Sequence, residues 1–358
     1  MLQQQNIITV QNPDHIINLP DSTVQNPGHI SNLPDSILHC ILSFLHATDA
    51  VKTVLLSKRW AHLYTSTPNL HFQKSRLCKR NDNDFVSFVN QALILYESPT
   101  IQEFHLVFYY KGTARHRFKS LPSLVNATLN LQMSFYAGWD DYEESEYHDI
   151  FCALLDALRH ARVLKVCTWC VQVLSIWELK RFPAPIFSCN CLILETGLRK
   201  WDLPGIVGLL RSSPYLETLV IKVIPTFYLN WDETFEYFMA KYYFHGVEYL
   251  ASQESNLPCL EHCLKTIKIF GFISGGGKYK KQKAWSVNRI LRRSMRQGML
   301  VKFLLKNAMV LDKMTIYASN EHEFKMIKKW SGVFSEVSKD ILAFPRASSH
   351  AEVSFSYA

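Results

Sequence analysis

The chain has 358 residues, of which 48% are hydrophobic and 20% are charged, and its formal net charge is +8. This composition indicates a globular protein long enough for two domains, and it excludes a chain that is disordered throughout. No run of eighteen or more apolar residues is present, so we expect no membrane span. The nine cysteines form no framework and the N-terminus lacks a secretory pattern, so we expect reduced thiols and a location in the nucleus and/or cytoplasm.

The first part of the chain contains a partial tandem duplication. Residues 11–22 read QNPDHIINLPDS, and residues 25–36 read QNPGHISNLPDS, fourteen residues later. Asn-Pro pairs favour turns, and no helical pattern follows the first copy. We therefore expect residues 1–28 to form a flexible tail that duplicates the start of the next domain.

Residues 32–70 have the pattern of three short helices. Pro34 can begin the first helix, since proline there loses only an N–H that has no helical partner. An apolar stripe at helical spacing follows, formed by Ile37, Leu38, Ile41, Leu42 and Leu45. Thr48 and Asp49 can cap a second helix, and Ser57 can cap a third. A unit this small buries little surface of its own, which suggests that a partner covers part of its apolar area. The alternative is an ordinary three-helix subdomain packed on the rest of the chain.

Five short segments of this stretch stand in a recognisable order. They are NLPD at 32–35, ILSFL at 41–45, DAV at 49–51, LSKRW at 56–60 and PNL at 68–70. Together they resemble an F-box of the plant F-box/leucine-rich-repeat type, which we place at residues 29–72. The resemblance implies docking on a Skp-type adaptor, which joins a cullin scaffold carrying a RING subunit and a ubiquitin-conjugating enzyme. It therefore implies a non-catalytic substrate receptor of a ubiquitin ligase, with an unknown protein substrate.

We assign the adaptor-binding surface to apolar residues of this F-box. The residues expected to contact the adaptor are Leu33, Pro34, Ile37, Leu38, Ile41, Leu42 and Leu45. Three others, Val51, Leu55 and Trp60, are expected to be partly core and partly contact.

Residues 73–100 are predicted to form a linker and a helix, with the helix over Phe85–Tyr96. Beyond them, seven short apolar runs predict strands. These runs are Ile101–Phe108, Ala127–Met133, Arg162–Cys167, Cys191–Glu195, Leu216–Val223, Leu264–Phe270 and Leu311–Tyr317. Helix candidates between them include Asp149–Arg159 and Leu203–Arg211. Leu192 and Leu216 are 24 residues apart, inside the leucine-rich-repeat range of about 20 to 29. The predicted fold is therefore α/β, with an N-terminal three-helix F-box followed by an irregular leucine-rich-repeat solenoid that begins with a repeat-like domain at residues 101–274. The alternative is a layered α/β domain without true repeats.

One segment interrupts the repeat spacing. Leu264 and Leu311 are 47 residues apart, and setting aside the 25 residues 275–299 leaves 22, a normal repeat length. Residues 278–296 hold eight Lys or Arg and no acid, so the rest of the chain has a formal charge of 8 − 8 = 0. We predict a basic, solvent-exposed insertion at 275–299, followed by a helix from Leu300. Residues 300–358 resemble the FBD domain that plant F-box/leucine-rich-repeat proteins often carry. The alternative function is a nucleic-acid or acidic-surface binding protein that uses residues 278–296.

No pattern predicts a catalytic residue, a cofactor or a metal. The run Gly275–Lys278 lacks the first glycine of a phosphate loop and the Ser or Thr that follows its lysine. Cys167 and Cys170 form a C-x-x-C pair, but redox use requires a helix start after a strand in a thioredoxin-like unit, and the pattern predicts none. A zinc site would require a second, well-spaced pair, which the sequence does not offer.

Overall fold

The computed structural model describes residues 29–74, 81–94, 96, 100–110, 118, 121, 123–133, 144–224, 246–253, 257–272, 287–318 and 330–357. The predicted tail at 1–28 lies outside the described residues, as do the glycine run and the first basic residues of the predicted insertion.

Three short helices open the described chain, after a 3-10 turn at His29–Asn32. They are α1 (Asp35–Phe44), α2 (Ala47–Thr53) and α3 (Lys58–Thr65). The predicted cap of α3 is present, because the Ser57 hydroxyl accepts a hydrogen bond from the Trp60 N–H at 3.4 Å. The predicted cap of α2 is wrong: the helix begins at Ala47, so Thr48 and Asp49 lie inside its first turn. There Asp49 still favours the helix, since a negative charge complements the N-terminal end of the dipole.

The rest of the described chain forms one open sheet of nine parallel strands, which lie side by side in chain order. The strands are β1 (Asn69–Lys74), β2 (Ile101–Tyr110), β3 (Leu124–Met133), β4 (Val163–Val166), β5 (Cys191–Thr196), β6 (Thr218–Val223), β7 (Thr266–Phe272), β8 (Lys313–Ala318) and β9 (Glu352–Tyr357). The helices are α4 (Asp82–Ile94), α5 (Glu144–Ala157), α6 (Thr168–Lys180), α7 (Asp202–Arg211), α8 (Gly246–Ser252), α9 (Pro258–His262), α10 (Val287–Asn307) and α11 (Trp330–Leu342).

Alternation along the strands gives the sheet two different faces. In β5 the side chains of Leu192 and Leu194 are fully buried, whereas those of Cys191, Ile193 and Glu195 are half-buried. The buried face joins the helices in one continuous apolar core that runs from Ala47 to Ala351. Because apolar burial is the main favourable term in folding, this shared core is what holds the strands in one sheet.

The mixed α/β class and the seven predicted strands are confirmed, although the ends of several strands shift by a few residues. Two strands were not predicted, β1 and β9. The sheet begins at Asn69, so its first strand crosses the predicted boundary between residues 72 and 73 and lies well before residue 101. The sheet is open and parallel, and the solenoid interpretation stays a prediction.

The predicted C-terminal helix is longer than expected. It begins at Val287 and continues to Asn307, so the predicted start at Leu300 is wrong and residue 299 lies inside a helix. Arg, Leu, Met and Gln, which dominate residues 289–299, are good helix formers, and no proline interrupts them. Gln297 and Gly298 are buried, which contradicts the predicted exposure at that end of the insertion.

Candidate functional site

The three N-terminal helices enclose a small apolar core of their own. Its buried members are Leu38, Leu42, Ala50, Trp60, Leu63 and Tyr64. Leu38 and Leu42 are 0% and 1% exposed, so their assignment to the adaptor surface is wrong. Both turn inward to hold α1 against its neighbours. Trp60 was predicted to be partly core and partly contact; it is 4% exposed and lies in the core.

A second set of apolar residues on α1 points to solvent. Ile37, Ile41 and Phe44 are exposed, and their spacing of four and three residues places them on one face of the helix. Phe44 has 81% of its surface exposed. Large apolar side chains that are exposed as a group mark interaction surfaces more often than scattered single ones do. This face of α1 is therefore the candidate docking surface.

The turn that follows α2 adds to the exposed apolar area. Leu55 and Leu56 are 62% and 63% exposed, and Pro34 before α1 is also exposed. Leu33, Leu45 and Val51 are half-buried and pack against the small core, so each combines a folding role with partial exposure.

We call Ile37, Ile41, Phe44, Leu55 and Leu56 the apolar docking set. Phe44 and Leu56 were absent from the sequence assignment. Phe44 could have been predicted, because its spacing from Ile37 and Ile41 places it on the same face of the helix. For Leu56 no periodicity distinguished an exposed from a buried leucine.

Arg59 fixes the segment that leads into α1. Its Nη2 donates to the Leu33 carbonyl at 2.6 Å, its Nε donates to Asp35 Oδ1 at 3.0 Å, and its Nη1 donates to the Ser31 carbonyl. The indole N–H of Trp60 donates to the Ser31 hydroxyl at 3.2 Å. The hydrogen bond from Arg59 lowers the pKa of the Asp35 carboxyl. These bonds tie the chain before α1 to the start of α3 and so set the position of Pro34 and the docking face.

The helical unit is attached to the sheet through α2 and the chain after α3. Ala47 is buried in the large core, and α2 packs against β1. The Tyr96 hydroxyl donates to the Thr67 carbonyl, and the Gln102 N–H donates to the Pro68 carbonyl at 2.8 Å. The docking set therefore stands on a unit that is joined to the sheet at its first strands.

The outer face of the sheet, formed by the half-buried and exposed side chains, is a second candidate surface. Near its middle, Lys165 and Glu195 form an ion pair at 2.8 Å. Further along, the rings of Phe270 and Tyr317 stack with centroids 4.4 Å apart. Nearby Lys268 is exposed. Aromatic side chains are enriched at protein–protein interfaces and polar ones form the rim, so this face can contact another protein.

The part of the chain that the structure describes also bears on metal binding and on membrane insertion. Within it, no three His, Cys, Asp or Glu side chains gather in the way a metal site requires. None of its helices has the length and apolar character that a membrane span needs.

Comparison with known proteins supports the F-box assignment. Residues 30–70 match the F-box domain family. An F-box/LRR-repeat protein 25 of Arabidopsis thaliana is 35% identical over 127 residues, which cover 35% of this chain and 41% of the relative. A probable F-box protein of the same plant is 26% identical over 188 residues, covering 51% of this chain and 48% of the relative. An F-box/FBD/LRR-repeat protein of that plant is 39% identical over 66 residues, covering 18% of this chain and 15% of the relative.

The resemblance to plant F-box/leucine-rich-repeat proteins, including the FBD type, is thus confirmed. The chain spans less than half the length of each of these relatives.

Proposed function

We propose that this chain is the substrate-recognition subunit of an SCF-type ubiquitin ligase. Its F-box docks on a Skp-type adaptor, and its sheet recruits a protein substrate. The protein supplies no catalytic residue to ubiquitin transfer, and it works in the nucleus and/or cytoplasm.

The observation that supports this proposal best is the exposed apolar docking set on the unit that matches the F-box. The unit turns Leu38 and Leu42 inward, yet leaves Ile37 and Ile41, each one position before a buried leucine, exposed on the same helix. Burying a large apolar side chain gains about 1.5–3 kcal/mol relative to leaving it exposed. A partner that covers the docking set gains this free energy of apolar burial, because the side chains are exposed in the isolated chain.

The order of the strands supports the proposed role of the sheet. Nine parallel strands in strict chain order are what stacked repeats produce, since each repeat contacts only its neighbours. Such an arrangement offers one extended face for a partner. On this reading residues 300–358, with β8 and β9, continue the repeat stack as an FBD-like end.

The proposal is tested by truncating two residues of the docking set in the full chain. Interface anchors that are fully covered cost at least about 1–2 kcal/mol each when changed to alanine. The double variant Ile37→Ala/Phe44→Ala should therefore bind a purified Skp-type adaptor at least about tenfold more weakly, as measured by calorimetry. Because both side chains are exposed, its melting temperature should stay close to that of the parent chain.

Ile186→Ala provides the matched control. Ile186 is 68% exposed but lies in the loop before β5, away from the three helices. Its truncation should leave adaptor affinity unchanged. Equal affinity of the double variant and the parent chain would refute docking through α1.

A further inference from the structure

Cys167 and Cys170 lie at the junction of a strand and a helix. β4 ends at Val166, Cys167 occupies the position before the first residue of α6, and Cys170 lies in the first turn of that helix. The sequence pattern predicted no such unit around this C-x-x-C pair. The structure places the pair at a helix start directly after a strand, which is one part of the arrangement that redox use requires, although the surrounding nine-stranded sheet is not a thioredoxin-like unit.

The two sulfur atoms are already in contact. Cys167 Sγ lies 3.5 Å from Cys170 Sγ, and a disulfide needs about 2.05 Å, so bond formation requires a sulfur shift of about 1.5 Å. Cys167 Sγ also lies 3.3 Å from the Leu131 carbonyl oxygen, and Cys170 Sγ lies 3.7 Å from that of Leu129. Two carbonyl groups in the second half of β3 therefore contact the two thiols.

The two thiols differ in access to solvent. Cys167 is half-buried, whereas Cys170 is 0% exposed. A small reagent therefore reaches Cys167 first, and Cys170 is placed behind it. Cys167 is therefore placed to attack a substrate disulfide, and Cys170 is placed to resolve the mixed disulfide that forms.

The position of Cys167 also favours its thiolate. Burial opposes ionisation, but hydrogen bonds from the Cys170 thiol and from the backbone of the first turn outweigh it and lower the pKa of Cys167. Burial raises the pKa of Cys170. A helix N-terminus stabilises a negative sulfur in the same way, since its N–H groups and dipole face the charge.

We propose that Cys167 and Cys170 form a redox-active dithiol whose substrates are small disulfides such as glutathione disulfide. The Cys167 thiolate attacks one sulfur of glutathione disulfide, which breaks the S–S bond and releases one glutathione thiolate that takes up a proton. Cys170 then loses its proton and attacks Cys167 Sγ, which releases the second glutathione. The protein dithiol is oxidised by two electrons, and one glutathione disulfide becomes two glutathione molecules.

The other buried cysteines in the described residues lack this arrangement. Cys189 is 0% exposed and contacts the Ser213 hydroxyl at 3.7 Å, and burial raises its pKa to about 11. Cys259 is also 0% exposed, and burial raises its pKa to about 12. Cys40 is exposed on α1, and it serves as a control for simple accessibility.

The test incubates the folded full chain with glutathione disulfide, blocks free thiols with an alkylating agent and analyses tryptic peptides by mass spectrometry. Both cysteines lie in the peptide 166–180. We expect this peptide to lose two hydrogen atoms and to resist alkylation, and to regain both thiols after treatment with dithiothreitol. In Cys170→Ser the same peptide should instead carry one glutathione on Cys167.

Two controls separate this reactivity from general oxidation. Cys40→Ser should leave the modification of peptide 166–180 unchanged. Cys167→Ser should leave Cys170 unmodified, because Cys170 is buried and glutathione disulfide cannot reach it without the Cys167 thiol. The proposal fails if the wild-type peptide keeps both thiols while Cys40 becomes glutathionylated. It also fails if Cys170→Ser carries no glutathione. The wild-type measurement decides the question even if a variant folds poorly, and it does not depend on the proposed role in ubiquitination.

Discussion

The helical unit and the sheet differ in how much of their apolar side-chain surface they expose to solvent. Among the described residues, six large apolar side chains are exposed in the short stretch from Ile30 to Leu56. Another six are spread over the much longer stretch from Ile94 to Leu342. The helical unit has a separate core of six buried residues, whereas one core extends along the whole sheet.

This difference shows how a single chain combines two kinds of stability. The sheet buries most of its own apolar surface, because strands β1 to β8 each add leucines or isoleucines to a shared core, and Val353 and Phe355 of β9 pack against it. The helical unit is too small to bury all of its apolar residues, so part of its surface is left for a partner. Changes in the sheet should therefore lower folding stability, and changes on the exposed helical face should lower binding.

The largest expected effect concerns a buried ion pair at the start of the sheet. Lys74 in β1 and Asp82 in α4 are both 0% exposed, and the Lys74 ammonium donates to the Asp82 carboxylate. The ammonium also lies 5.4 Å from the ring centre of Phe108. Removing one partner leaves a buried charge without its counter-charge, which costs about 3–5 kcal/mol. Lys74→Met should therefore lower the free energy of unfolding by about that amount in urea titrations.

The double variant Lys74→Met/Asp82→Leu should recover most of that loss, since it removes both charges. Adaptor affinity should stay unchanged in both variants while the chain is folded. A loss of less than about 1 kcal/mol in Lys74→Met would show that the pair is not buried as a unit.

A smaller effect is expected where α6 and α7 approach each other. A Cβ added at Gly205 would lie 1.9 Å from the Val171 carbonyl oxygen, so the two backbones would have to separate. The Gly205 N–H also donates to the Ser175 hydroxyl at 2.8 Å. Gly205→Ala should destabilise the sheet domain by about 1–3 kcal/mol, measured as a lower urea midpoint at an unchanged slope.

Gly298 is the matched control for this substitution. It lies inside α10, and among the described residues an added Cβ meets nothing within 4 Å. Because alanine is the better residue in a helix interior, Gly298→Ala should raise stability by about 0.5–1 kcal/mol. Equal effects at the two glycines would mean that the close packing of α6 on α7 is not what Gly205 provides.

The sequence predicted much of the sheet, because the strands that it found have a simple apolar alternation. The missed strands lack that signal. β9 alternates its apolar residues with serines, and β1 lies within the end of the F-box motif. α6 was also missed, since nine of its thirteen residues are buried and its sequence has no polar face to mark a helical period.

The docking residues could be predicted only in part. Periodicity placed Ile37, Leu38, Ile41 and Leu42 on one helix, but an apolar stripe this wide covers both an inward and an outward face. Which of the two faces is buried depends on where α3 packs, and local periodicity in the sequence does not report this tertiary contact. The same limit explains why Leu38 and Leu42 were assigned to the surface while Phe44 was omitted.

The smallest expected effect tests the contact that positions the docking face. Asp35 accepts a hydrogen bond from Arg59, and this bond lowers its pKa below the ordinary value of 3.8. The unfolded chain therefore binds more protons than the folded chain in the pH range just below that value. The stability that this contact contributes is present above about pH 4 and is lost as the pH falls through the lowered pKa. Asp35→Asn should remove this dependence.

The measurement is amide hydrogen exchange of α1 in the full chain between about pH 5 and pH 3, corrected for the intrinsic exchange rates. In the parent chain, protection of α1 should fall toward the acid end, and in Asp35→Asn it should be lower throughout and change less with pH. Asp49→Asn makes the same charge change in the first turn of α2, where the neighbouring Lys52 is the partner at 2.7 Å. That control should leave the protection of α1 as it is in the parent chain. If both variants flatten the pH dependence equally, the effect comes from net charge, and the bond between Arg59 and Asp35 does not hold the docking face in place.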